Sequence, residues 1–183
     1  MKQKHWPVPN SQNDQLPLPG QAGSFWEDRG DRRHAGVDIY APAGSEVVAT
    51  EDGVVLDVSI FTSPERLPYW NTTYCVLLQN AEGMVFRYAE MGDVTVKKGD
   101  RVAAGQVLGH VGTVLDLNKI DHRSPAYIQR LKHSGSPSML HFEMYRTPPS
   151  TQEKYLGGNF FSPDKPDDLL DPLPYLQSMR DQT

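Results

Sequence analysis

The chain has 183 residues, which fits one domain or one domain with long arms, and its formal net charge of −5 without a basic block gives no sign of nucleic-acid binding. Its single cysteine, Cys75, excludes an intramolecular disulfide and any cysteine-rich zinc cluster. No apolar run approaches the roughly 18–20 residues that span a bilayer, and the polar start MKQKHWPVPNSQNDQLPLPG has no stretch of signal-peptide type, so it reads as cytoplasmic or exported by a route it does not display.

In chain order, prolines at 7, 9, 17 and 19 predict an extended arm over residues 1–29. From 36 to 112 the segments VDIYA, EVVAT, GVVLDVSI, YCVLLQ, MVFRYAE, DVTVK and QVLGHVG are rich in β-branched residues. The turn signals EDG, AEG and KKGD separate them, so each reads as a strand. Residues 114–133 break this rhythm and read as an insertion in which AYIQRLKH forms a short helix. The stretch PSMLHFEMY at 137–145 alternates as a strand should, with Leu140, Phe142 and Met144 toward the core and Met139, His141, Glu143 and Tyr145 together on an outward face. Residues 147–183 form an acidic, proline-punctuated tail with one turn of helix near LPYLQSM. The expectation is an all-β domain over 30–146, an antiparallel two-sheet sandwich with arm, insertion and tail rimming a cleft.

His34 and Asp38, four residues apart in HAGVD, offer an imidazole nitrogen and a carboxylate oxygen, both good zinc ligands. That spacing alone is weak evidence and is more often the mark of a surface histidine and aspartate flanking a glycine turn. The strand–turn–strand sequence that follows, and the distant H-F-E of the last strand, shift the balance toward a metal.

HAGVDIYAPAGSEVVATEDGVV, VKKGDRVAAGQVLGHVG and MLHFEMY together resemble the LytM/lysostaphin-type zinc peptidases that cut peptidoglycan. The resemblance spans roughly 30–146, interrupted by the insertion. It implies one zinc per chain, with His34, Asp38 and His141 as metal ligands, and a peptidoglycan peptide as substrate. Three protein ligands with an open fourth position is also what a catalytic zinc requires. Two positions depart from the family pattern. The first histidine of its H-x-H is Met139, and the histidine of its Y-x-H strand is Glu90, two residues after Tyr88. Glu90 is either the general base or a fourth, site-closing ligand; Met139 can do no proton chemistry.

The remaining histidines have humbler expectations: His133 a loop residue able to swing in, His122 surface, His110 half-buried on a strand, His5 in the arm. Glu143 would orient a ligand by hydrogen bond, and Trp6, Trp26, Tyr69 and Trp70 would wall a substrate cleft or simply pack. Biotinyl and lipoyl carriers share the hairpin but need a modifiable lysine at its turn, which is missing. A histidine phosphocarrier needs the paired histidine that Met139 replaces. The alternative of weight is a catalytically inactive LytM-like module that binds cell wall or regulates a partner hydrolase. Retention of all three ligands favours the enzyme.

Overall fold

The computed structural model describes residues 4–9, 11, 15–134, 138–150 and 153–180. Its centre is an antiparallel meander of β-branched strands, β4 (Gly53–Thr62), β5 (Thr73–Gln79) and β6 (Val85–Val94). The turn between the last two is built by Asn80, whose Oδ1 accepts the backbone N–H groups of Glu82 and Met84. The first part of β6 pairs with β9 (Met139–Tyr145), and its far end pairs with β8 (Val107–Val111). Around them β2 (Val37–Tyr40) pairs with β9 and β3 (Glu46–Val48) with β8. Two short strands complete this nine-stranded antiparallel sheet, β7 (Arg101–Val102) on β4 and β12 (Leu169–Leu170) on β9. A second, three-stranded antiparallel sheet joins β1 (Arg33–His34), β10 (Tyr155–Leu156) and β11 (Asn159–Phe160). The helices are α1 (Ala126–Ser134) in the insertion and α2 (Leu173–Arg180) in the tail. A short 3-10 turn spans Leu117–Lys119, and among the described residues no helix is long and apolar enough to cross a membrane.

The all-β, two-sheet expectation matches this architecture, and the two helices form where the insertion and the tail carry them. DVTVK is not a strand of its own, however: β6 runs on through a register shift between Met91 and Asp93 and continues into it.

Leu140, Phe142 and Met144 enter the main core with Val37, Ile39, Phe86 and Tyr88, as alternation requires. The opposite face of β9 is not open, because every residue of the strand is buried. Met139 lies in a second apolar cluster with Trp70, Val114, Leu115, Ile120, Tyr127 and Ile128, most of them from the insertion. Tyr145 lies in a third with Phe160 and Leu169. The arm packs along β3: Val48 N–H donates to Pro7 O at 2.9 Å, and Val8 is fully buried in the main core. The tail is anchored by Leu176 in that core and by Tyr175, whose hydroxyl donates to Glu51 Oε1 at 2.8 Å.

Candidate metal centre

His34 ends β1, and a short turn through Ala35 and Gly36 carries the chain into β2. A Cβ at Gly36 would come within 2.3 Å of the Phe142 carbonyl, so only glycine lets this turn lie against β9. Asp38 then stands directly opposite His141 in the β2–β9 register, which joins ligand candidates 103 residues apart in sequence. Directly bonded neighbours on antiparallel strands share a face, so the carboxylate and the imidazole meet.

Three atoms converge there. His34 Nε2 lies 3.1 Å from Asp38 Oδ1 and 3.0 Å from His141 Nδ1, and His141 Nδ1 lies 3.0 Å from the same Oδ1. Among the described residues, these three form the group of histidine and acidic side chains arranged to hold one ion. The second nitrogen of each ring is already committed. His34 Nδ1 donates to the Ser24 carbonyl at 2.8 Å, and His141 Nε2 donates to Glu143 Oε1 at 2.8 Å. That fixes the tautomer in which each remaining lone pair points at the common centre, as metal-binding histidines require. All three side chains are at least 95 % buried. The donor set of two imidazoles and one carboxylate suits zinc.

Without a metal, the three groups shift one another's ionisation. Burial opposes ionisation of Asp38, but the neighbouring His34 and the hydrogen bond from His141 outweigh it and hold the carboxyl far below its usual range. Burial likewise opposes protonation of His141, yet hydrogen bonds to Asp38 and Glu143 push its pKa up to about 10. His34, buried and facing the Arg29 guanidinium, is pushed down.

Residues 32–154, two thirds of the chain, match the profile of peptidase family M23. The chain belongs to that family. Cell division protein DipM of Caulobacter vibrioides is 29 % identical over 123 residues, covering 66 % of this chain and 19 % of its own length. The chain therefore spans about a fifth of that curated relative (19 %). Among solved structures, the antimicrobial peptidase lysostaphin from Staphylococcus simulans aligns with TM-score 0.53 at 20 % identity, over 90 % of this chain and 50 % of that one. A zinc-containing peptidase from Vibrio cholerae aligns with TM-score 0.50 at 21 % identity, over 85 % and 41 %. The SpoIIQ–SpoIIIAH pore-forming complex contributes a chain with TM-score 0.55 at 18 % identity, over 100 % and 99 %. These alignments show a shared fold.

Within this M23 fold, Glu90 occupies an unusual position. Regular alternation along β6 would send it with Phe86 and Tyr88 into the main core. Instead Glu90 has φ +64°, a left-handed conformation rare for a residue with a side chain, at the point where β6 leaves β9. Its carboxylate lines a cavity of about 30 Å³ with Arg29, Asp38, Trp70, Met139 and Asn159. Its Oε2 is buried without a hydrogen-bond partner. Burial, reinforced by the Asp38 charge, raises its pKa to about 8. Glu90 is not one of the three side chains whose donor atoms lie within 4.8 Å of one another. A cavity of that size holds about one water.

Met139 is 2 % exposed and forms part of the apolar wall beneath the insertion. Tyr127, Ile128 and Leu131 of α1 line the same small cavity, so the insertion roofs the centre. From the other side, the Gly157–Gly158 turn of the β10–β11 hairpin packs against the Trp70 and His141 rings. Of the four aromatic residues singled out in the sequence, Trp70 reaches the cavity. Tyr69 packs beneath it, Trp26 packs near Phe160, and Trp6 lies on the main core. His133 is exposed in the last turn of α1 and His122 is exposed in the insertion. His110 pairs with Asp93 at 2.8 Å on the far end of β6.

Sequence reasoning passed over Arg29 and Asn159. Arg29 Nε donates to Glu27 Oε2 at 3.0 Å and its Nη1 to Asn159 Oδ1 at 3.1 Å, and its guanidinium lies 4.5 Å from the Tyr127 ring centroid. The run EDRGDRRH looks like a solvated charged turn; only the pairing of His34 with Asn159 on β11 brings these groups together.

Proposed function

We propose that the chain is a zinc-dependent endopeptidase acting on peptide bonds of peptidoglycan, with His34, Asp38 and His141 holding one ion and Glu90 as general base. The observation that carries this reading is the unpartnered Glu90 oxygen in a water-sized cavity shared with Asp38. Zinc at such a site lowers the pKa of water and withdraws charge from the scissile carbonyl.

The protein's own groups do the rest. Glu90, held by its left-handed backbone, would accept a proton from the attacking water and pass it to the leaving amine. Its raised pKa suits a group that must both take and give a proton near neutrality. The Ser24 carbonyl and Glu143 fix the two imidazoles, and the buried surroundings exclude bulk water. Met139 contributes shape only.

A second reading, an M23 module that binds cell wall or regulates a hydrolase without cutting, draws support from the roof formed by Tyr127, Ile128 and Leu131. A peptide must displace that roof before reaching the centre. The deciding experiment is digestion of purified peptidoglycan by zinc-loaded protein. Release of soluble fragments that chelation and His141→Ala both abolish supports the peptidase; intact peptidoglycan with full zinc occupancy supports the module.

A further inference from the structure

Among the described residues lining the small cavity, Arg29 supplies the one guanidinium, and its Nη2 makes only a long ion pair. Its side chain is 8 % exposed. Nε is occupied by Glu27 and Nη1 by Asn159, whereas the closest carboxylate oxygen to Nη2 is Asp38 Oδ2 at 3.5 Å, too far for a strong hydrogen bond. Asp38 meets the histidines through its other oxygen, Oδ1. Arg29 also lines two spaces at once. One is the small cavity that holds Glu90 and Met139; the other is an adjoining cavity of about 330 Å³ walled by Gly23, Glu27, Tyr40, Tyr127 and Arg130. Tyr127 and Leu131 line both spaces as well, so Arg29 stands with them at the wall the two share.

We propose that Arg29 Nη2 is the oxyanion donor of this centre: it binds the carbonyl oxygen of the scissile peptide as negative charge develops there. The inference rests on the peptidase reading and adds a charge-stabilising group to it. As the water oxygen bonds to the carbonyl carbon, the π pair moves to the carbonyl oxygen, beside Nη2, and the water's proton passes to Glu90. When the C–N bond breaks, the pair on oxygen restores the carbonyl and Glu90 returns the proton to the leaving nitrogen. The products are a carboxylic acid and an amine, so atoms and charge balance.

Arg29 suits this role for two reasons. An arginine keeps its charge throughout, so it stabilises an oxyanion without competing with Glu90 for the proton. Glu27, Asn159 and the Tyr127 ring also hold it in place beforehand, so it need not reorganise as the charge appears.

The test uses the 183-residue chain loaded with cobalt(II), whose visible spectrum reports on the metal, and inorganic phosphate as a tetrahedral oxyanion probe. Arg29→Ala and the charge-keeping Arg29→Lys are compared with wild type. The expected result is metal retention in Arg29→Lys, with phosphate affinity falling tenfold or more in Arg29→Ala and less in Arg29→Lys. On peptidoglycan, kcat should fall while KM changes little. Phosphate affinities within twofold of wild type would overturn the assignment. So would a wild-type spectrum that phosphate leaves unmoved, or failure of both variants to take up metal, which would make Arg29 structural. If the wild type cleaves nothing yet loses phosphate affinity on Arg29→Ala, the oxyanion site stands and the peptidase reading falls.

Discussion

His141 donates from Nε2 to Glu143 Oε1 at 2.8 Å, and Glu143 in turn is gripped by Arg87 at 2.6 Å, Tyr145 at 2.6 Å and Tyr155 at 2.5 Å. Fully buried, the carboxylate stays ionised because the Arg87 charge and the hydrogen bond from His141 overcome burial and hold its pKa at about 2. Glu143→Gln removes that charge while keeping the shape. Zinc affinity should fall about 10–100-fold, and the metal-free protein should lose about 3–5 kcal/mol because Arg87 is left without its counterion. Chelator competition and thermal melting read the two effects; unchanged affinity would mean that the ring is oriented by packing alone.

Without metal, two imidazole nitrogens face each other at 3.0 Å, and their partners on the opposite ring positions have taken the other protons. Hydrogen bonds to Asp38 and Glu143 hold the extra proton on the His141 ring and push its pKa up to about 10. Zinc displaces it. Uptake should therefore release about one proton per ion, and affinity should rise about tenfold per pH unit between roughly pH 6 and 9. Calorimetry in buffers of different ionisation heat measures the release directly, and a value near zero would contradict a charged His141.

Glu90 carries a pH signature of opposite sign to Glu143. Its pKa rises from an ordinary 4.5 to about 8 in the fold, so the folded chain binds the proton more tightly than the unfolded one. Its stabilising contribution is complete below pH 4.5 and is lost as pH rises through about 8. Glu90→Gln should flatten that decline in metal-free protein, leaving it roughly 1–3 kcal/mol more stable than wild type at alkaline pH. In the zinc form the same change should keep the metal and cut peptidoglycan cleavage by about 10²-fold or more. Loss of zinc on Glu90→Gln would instead point to a fourth ligand.

Restoring a histidine at position 139 looks from the sequence like a gain of function, but the structure argues against it. Met139 is 2 % exposed among Trp70, Leu115, Tyr127 and Ile128. Met139→His would bury a polar ring among apolar groups, costing about 1–3 kcal/mol, with no rise in cleavage. Denaturant titration beside the digestion assay checks both, and a stable, more active variant would show that the cluster can open.

Gly158 has φ +79°, and a Cβ there would lie 2.8 Å from His141 Cε1 and Nε2. Gly158→Ala should weaken zinc binding through a displaced ring and destabilise the fold by about 1–3 kcal/mol. Gly44, with a similar φ but open space around it, is the control: Gly44→Ala should leave zinc binding alone.

What the sequence could disclose depended on how local each relationship was. Alternation in MLHFEMY placed Leu140 and Phe142 in the core and put Glu143 on the His141 face. The meander strands followed from β-branched runs and turn residues. Glu90 was visible only as an odd letter in a Y-x-H position, since its aim comes from a left-handed backbone at a bulge, which counting by twos sends to the wrong face. Arg29 was not visible at all, because its meaning depends on Asn159, 130 residues away. The closed face of β9 was likewise hidden, being made by an insertion and a hairpin whose short strands carry little periodic signal.

The sequence separations of the converging groups have a consequence in time. His34 and Asp38 lie 107 and 103 residues before His141, so an ion held by all three closes a loop of about a hundred residues. By the chain-entropy account a cross-link of that span restrains the unfolded chain by about 4.7 kcal/mol. During synthesis the first two groups emerge long before the third, and β9 must seat between β2 and β6 in the one register that sets Asp38 against His141. A slip of one residue turns His141 to the other face. Capture of an ion by these three groups would therefore be a late, all-or-none event, locking the strand order only after it is correct.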